Sequence, residues 1–337
     1  MMRAKLIALF DPFILMLLGT VALASVLPPR GSASTAFEMA ANIGIFLLFF
    51  LHGAKLSREA ILEGAGNWRL HLTVLSVTFI LFPILGVGMA VIPGLMPIIG
   101  TGMLFLTLLP STVQSSIAFT SIARGNVAAA VCSASFSNLI GIFITPALAA
   151  LLMGGHLAGM SFDAVRSIAL QLLLPFVVGH LLRPWIGAFV ARHKPLLTII
   201  DRGSILLVVY TAFGAAVVGG IWHQLSGDEL LIIVGLSVLL LAVVLVATWG
   251  IGKALGFPRG DAIVLLFCGS KKSLASGVPM AGVLFAPAQV GAIILPLMIF
   301  HQIQLIACAV IARRYGRTAD VDTARSELRG SPSSPLA

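Results

Sequence analysis

Apolar residues in this chain fall into long unbroken runs separated by short polar punctuation. They show neither the alternation of a half-buried strand nor the one-sided stripe of a surface helix. Ten runs stand out, at about 7–27, 36–51, 70–92, 97–123, 127–153, 168–186, 204–222, 230–255, 262–285 and 288–311. A helix needs roughly 20 predominantly apolar residues to cross the hydrocarbon core of a bilayer, and these runs are close to that length. Pro28-Pro29 ends the first run and Pro93-Gly94 the third. Between the second and third lies a short amphipathic stretch, 57–68, where Ser57, Glu59 and Glu63 read as a helix start. The pattern predicts an all-α polytopic membrane protein with one transmembrane domain, 1–316. The polar segment 317–337, ending Ser331-Pro332-Ser333-Ser334-Pro335, reads as a disordered cytoplasmic tail.

Two runs are interrupted from within. Pro110-Ser111-Thr112-Val113-Gln114-Ser115-Ser116 splits the fourth, and Gly269-Ser270-Lys271-Lys272-Ser273-Leu274-Ala275-Ser276-Gly277 splits the ninth. Each half of the chain closes with such a run followed by a run holding an internal proline, Pro146 and then Pro296. Five crossings is an odd number, so consecutive five-helix units insert in opposite senses. The layout therefore predicts two inverted repeats whose broken fourth and ninth helices meet near the midplane, where transporters bind their cargo.

Composition sharpens this picture. Hydrophobic residues make up 59% of the chain and charged ones only 10%, against about a quarter in soluble domains. The net charge of +9 is placed by topology. With the N-terminus inside, the inner segments hold Arg3 and Lys5; Lys55, Arg58 and Arg69; Arg124; Arg183, Arg192, Lys194 and Arg202; Lys253 and Arg259; and Arg313, Arg314, Arg317, Arg325 and Arg329. Only Arg30 and Arg166 fall outside, and Lys271 and Lys272 lie within the bilayer. This bias predicts cytoplasmic termini and removes nucleic acid as a partner; the expected location is a plasma membrane, the inner membrane if the cell is bacterial. Cys132, Cys268 and Cys308 sit in apolar runs without disulfide or zinc spacing and read as packing residues.

The residues also carry a resemblance. Phe49-Phe50-Leu51-His52-Gly53-Ala54-Lys55-Leu56-Ser57, Leu109 to Ser116 with Ala123-Arg124-Gly125-Asn126-Val127, and Cys268-Gly269-Ser270-Lys271-Lys272-Ser273 resemble the bile acid:sodium symporter family, in its bile-acid-symporter-like branch. The resemblance implies a panel domain and a core domain, with the fourth and ninth helices unwound and crossing and sodium bound behind them. It places the family's third-helix glutamine at Thr78, its Ser-Asn pair at Ser115 and Ser116, and its ninth-helix glutamate and glutamine at Ser270 and Leu274. Two fifth-helix hydroxyl positions fall on Ala130 and Ala134, with Ser133 and Asn138 nearby. A sodium site would thus lack its carboxylate and would draw on Ser115, Ser116 and Ser270 beside a lysine pair.

The expected function is secondary active transport of a small organic anion by alternating access, with sodium or a proton as coupling ion and no other cofactor. Candidate binding residues are Thr78, Gln114, Ser115, Ser116, Ser133, Asn138, Ser270, Lys271, Lys272, Ser273, His301 and Gln302. Two arrangements stay open: a lysine ammonium replaces sodium or pairs with the anion, or sodium is kept by hydroxyls and carbonyls. Both lysines can serve one site only if the helix there is unwound. A regulatory membrane protein that influences calcium handling is the alternative. The chain has no His-Glu-x-x-His run or paired aspartates, and Lys272 and Ser273 are adjacent, so an enzyme is not expected. The pattern leaves the solute and the oligomeric state open.

Overall fold

The computed structural model describes residues 12–55, 65–92, 94–153, 162–220 and 226–330. Among these residues the regular elements are helical. In chain order they are α1 (Pro12–Val26), α2 (Ser32–Lys55), α3 (Trp68–Ala90), α4 (Pro97–Leu108), α5 (Gln114–Ile122), α6 (Val127–Met153), α7 (Phe162–Arg192), α8 (Lys194–Val218), α9 (Gly227–Ala254), α10 (Arg259–Gly269), α11 (Leu274–Leu284) and α12 (Pro287–Gly330). Seven of them, α2, α3, α6, α7, α8, α9 and α12, are long and apolar enough to cross a membrane. Large apolar side chains such as Leu18, Ile43, Leu181, Leu239 and Val246 are exposed on their outer faces, as a lipid environment requires. The amphipathic stretch read at 57–68 falls mostly outside the described residues.

The helices pack as two groups. α2 packs on α7 and α8, and α1 on α8; the remaining helices cluster around α12 and the two short pairs α4–α5 and α10–α11, and α8 joins the two groups by also packing on α11 and α12. Lipid tails are as apolar as leucine, so helices associate in a bilayer through close van der Waals fit, for which small residues are suited. α2 and α7 show this directly. A Cβ on Gly53 would overlap the Phe176 carbonyl, and one on Gly179 would overlap the Phe50 carbonyl. The two backbones therefore touch where neither helix has a side chain. The Lys55 ammonium pairs with Asp201 and ties α2 to α8.

Proline and polar residues set the local geometry. In α3 the segment Val77–Leu81 widens to a π turn, and the Phe82 N–H bonds the Val77 carbonyl. Pro83 has no N–H to offer, so the Thr78 carbonyl is left without a partner in its own helix. α9 begins with a capping box in which Ser226 and Glu229 satisfy each other's backbone N–H groups. Asn67 and Asn126 both donate to the Asp261 carboxylate, at 2.7 and 2.9 Å, joining the starts of α3, α6 and α10 at one end of the second group.

Two expectations change. Residues 317–330, read as disordered, continue α12 as helix. No proline follows Pro296 until Pro332, and alanines with interspersed opposite charges sustain helix where hydropathy alone signals nothing. The segment 194–203, read as a polar connection, is the first part of α8, which starts with Pro195 in its first turn. Asp201 and Arg202 thereby move from a loop onto a helix. Cys132, Cys268 and Cys308 are buried thiols, as expected of packing residues.

Candidate functional site

The two interruptions meet each other. α4 stops at Leu108 and α5 starts at Gln114; α10 stops at Gly269 and α11 starts at Leu274. A helix broken inside a bilayer frees carbonyls and N–H groups that water cannot reach, and each needs a partner. The partners come from the other break and from neighbouring helices. The Ser273 N–H donates to the Pro110 carbonyl at 2.8 Å. The Ser111 hydroxyl donates to the Cys268 carbonyl at 2.6 Å, and Ser116 to Phe267 at 3.1 Å. Thr145 caps the Leu108 carbonyl, Asn138 caps that of Ser111, and the Ser111 N–H reaches the Ser137 hydroxyl. Gln304 of α12 takes both groups of Lys272: its amide oxygen accepts from the Lys272 N–H and its amide nitrogen donates to the Lys272 carbonyl, each at 2.9 Å.

The lysines diverge. Both are fully buried, and residues 270–273 are unwound, but they serve different surroundings. The Lys272 ammonium donates to the carbonyls of Thr78, Thr107 and Leu109 at 2.8, 2.7 and 2.7 Å. An ammonium has three N–H donors, so this set saturates it, and the Phe82 ring lies 4.1 Å away. The Lys271 ammonium lies 3.3 Å from the Ser115 hydroxyl and 4.5 Å from the centre of the Phe119 ring. Each buried charge is thus held by dipoles and aromatic faces.

A cleft of about 230 Å³ opens between the two helix groups at this meeting point. α1, α2 and α8 contribute Phe13, Leu48, His52, Lys55, Asp201, Arg202 and Ile205. The other wall holds Thr112 to Ser115 at the start of α5, Ser273 to Ser276 at the start of α11, Asn138, His301 and Leu305. Two helix N-termini therefore border one cavity, and Lys55 and Arg202 outnumber its single carboxylate, Asp201. Arg202 also rests over the Phe13 ring at 5.4 Å.

Of the residues anticipated from sequence, Gln114, Ser115, Asn138, Ser273 and His301 line the cleft. Ser116 lies behind it, its hydroxyl given to Phe267. Thr78 takes part only through its carbonyl, since its hydroxyl donates to Val74. Ser270 turns its hydroxyl to Leu266 of its own helix. Ser133 is away from the cleft, 2.7 Å from a ring nitrogen of His71. The Gln302 amide is buried without a hydrogen-bond partner among the described residues. The sequence placed Thr112 and Ser276 in the two interrupted runs and Gln304 in the polar run His301-Gln302-Ile303-Gln304, as cavity lining or an interhelical hydrogen-bonding group, while Lys55 and Arg202 entered only as topology charges. Gln304 makes the interhelical hydrogen bonds, to Lys272.

A sodium ion at these residues would stand beside an ammonium. Of the three hydroxyls suggested, those of Ser116 and Ser270 donate to the Phe267 and Leu266 carbonyls and keep their lone pairs, and that of Ser115 lies beside the Lys271 ammonium. Among the described residues no cluster of three His, Cys, Asp or Glu side chains could hold a metal. A monovalent cation 4–5 Å from an ammonium meets a repulsion of ~3–4 kcal/mol at an effective dielectric constant of 20.

Comparison with known proteins shows the family. The sequence profile of the SBF-like CPA transporter family matches residues 11–317. The chain is 55% identical to "Putative symporter YfeH" of Escherichia coli over 329 residues, covering 96% of this chain and 98% of the relative. It is also 55% identical over 326 residues to protein PA2026 of Pseudomonas aeruginosa, covering 96% and 97%. Sodium/bile acid cotransporter 7 of Rattus norvegicus is 24% identical over 278 residues, 80% of this chain and 81% of that protein. The chain is an integral membrane protein that belongs to the SBF-like CPA transporter family, whose members are bile acid:sodium symporter-like transporters and not enzymes.

Proposed function

We propose that the chain is a secondary active transporter of a small organic anion and works by alternating access. The observation that carries this reading is the cleft between the two helix groups, bordered by the N-termini of α5 and α11. Helix N-termini carry roughly half a positive charge each and point N–H groups at whatever lies beyond them, so the pair favours a carboxylate, sulfate or phosphate group. On the facing wall Lys55 is paired with Asp201, which leaves Arg202 as the excess positive charge, and Lys271 adds more from behind Ser115. A volume of about 230 Å³ lies below the ~300–1,000 Å³ of drug-sized pockets, which supports a small solute. Phe13, Leu48, Ile205 and Leu305 supply apolar contact for its carbon skeleton.

The ten-span arrangement with inverted repeats belongs to the same proposal. Counting α4–α5 and α10–α11 as one broken span each, and α1 as one, completes the seven long helices to ten. Both breaks are followed by a helix with an internal proline, Pro146 in α6 and Pro296 in α12. The basic bias supports cytoplasmic termini. Lys55, at the end of α2, then puts the cleft on the cytoplasmic side. Arg30, Lys194 and Arg259 are exposed in the structure and suit labelling. In a cysteine-free background, a cysteine at Arg30 is expected to react with an impermeant maleimide from outside, and cysteines at Lys194 and Arg259 only after permeabilisation. The opposite pattern would overturn the orientation.

Counterflow in proteoliposomes tests the activity, with small carboxylates, sulfate esters and phosphate esters as probes. Arg202→Ala is expected to raise the KM of the transported anion by about 10-fold or more, since a hydrogen bond to a charged group contributes ~1.5–3 kcal/mol. Arg202→Lys should lose less. Counterflow of none of these anions by folded, reconstituted protein would overturn the proposal.

A further inference from the structure

We infer that the three carbonyls of Thr78, Thr107 and Leu109 form a monovalent-cation site that the chain fills with its own Lys272 ammonium, so that a fixed charge stands where a coupling cation would otherwise bind. This deepens the transport reading and rests on it. Three observations converge. First, the carbonyls come from two separate helices and share one point in space, each 2.7–2.8 Å from the ammonium nitrogen. Second, each oxygen is made available by a local device: Pro83 after the π turn frees Thr78, and the break at Leu109-Pro110 frees Thr107 and Leu109. The Ser111 N–H, which would otherwise bond Thr107, goes to Ser137. Third, the ammonium has no donor left for a solute and is fully buried, whereas Gln304 clamps the Lys272 backbone from both sides.

Such an oxygen cage suits any small monovalent cation, because hard cations take oxygen ligands and carbonyl dipoles replace the hydration shell. A tethered ammonium holds it at every ionic composition. The charge therefore stays with the two breaks and does not depend on the sodium gradient.

Thermal unfolding of the purified protein, without solute, in sodium chloride, choline chloride or methylammonium chloride tests this. The wild type is expected to melt at the same temperature in all three. Lys272→Ala empties the cage, and its melting temperature should fall in choline and recover by at least about 3 °C in sodium or methylammonium, which fit the space and bind only the folded state. Lys272→Met fills the same space with an apolar chain and should respond to neither. A wild type that melts higher in sodium than in choline, or a Lys272→Ala protein that melts identically in the three salts, would overturn the inference. If Lys272→Ala does not fold, the wild-type comparison and the sodium-independence of wild-type counterflow still decide. The melts require no transported solute, so their failure is separate from failure of the transport reading.

Discussion

Replacing Gln304 with leucine is expected to abolish anion counterflow and to cost ~2–6 kcal/mol of stability. Gln304 satisfies the N–H and the carbonyl of Lys272, both at 2.9 Å, and also donates to His301 at 2.8 Å. Leucine would keep the bulk and remove all three bonds. The Lys272 peptide groups would then be buried without partners, at ~1–3 kcal/mol each, in a segment that has no helix of its own to fall back on. The ammonium would lose its fixed point of attachment at the same time. Gln304→Glu keeps one acceptor and should fall between. The neighbouring Gln302→Leu provides the contrast. The Gln302 amide is buried without a partner among the described residues, so its removal relieves a desolvation cost and should leave the protein as stable or more so. Melting temperature in detergent and counterflow in liposomes, measured on the same preparations, check both. Equal behaviour of the two leucine variants would refute the role given to Gln304.

A methyl group at Gly53 or Gly179 is expected to be at least as damaging, through the packing of α2 on α7. Each added Cβ would overlap a backbone carbonyl of the other helix. A backbone cannot rotate aside as a side chain can, so the helices must separate along their whole contact. Overpacking in a tight core costs ~1–3 kcal/mol where side chains can yield, and more is expected here, upwards of ~3 kcal/mol for Gly53→Ala. Gly235, in α9, has no heavy atom within 4 Å of its would-be Cβ, so Gly235→Ala is the control and should gain slightly in helix propensity. Monodispersity and melting temperature of the detergent-solubilised variants report the outcome. Loss of α2–α7 packing should also remove the cleft, because Leu48, His52 and Lys55 belong to α2.

Much of the membrane architecture was legible because its determinant is local. A run of about twenty apolar residues partitions into a bilayer by its own transfer free energy, whatever it later packs against. The same locality exposed the two breaks. Pro110 removes an N–H, and a Gly-Ser-Lys-Lys-Ser run inside an apolar stretch is too costly to be lipid-facing helix. The start of α8 was not legible. Lys194 to Gly203 has low hydropathy, but helix formation depends on backbone bonds and packing, and residues of this kind become wall of a cavity once α2 and α8 are joined through Lys55 and Asp201.

The cation cage shows the division most clearly. From its order of residues alone, the chain determined that two lysines sit in an unwound segment between apolar helices and that no carboxylate stands beside them in sequence. Which lysine meets what was decided by tertiary structure. Adjacent residues on an unwound backbone have no fixed relative direction, so Lys271 turning to Ser115 and Lys272 to three carbonyls followed from how α3, α4 and α12 pack around the break. Main-chain oxygens also carry no side-chain signature. Every residue has one, and only the folded arrangement shows that those of Thr78, Thr107 and Leu109 are the ones left without a helical partner, brought to one point and given the same cation to hold.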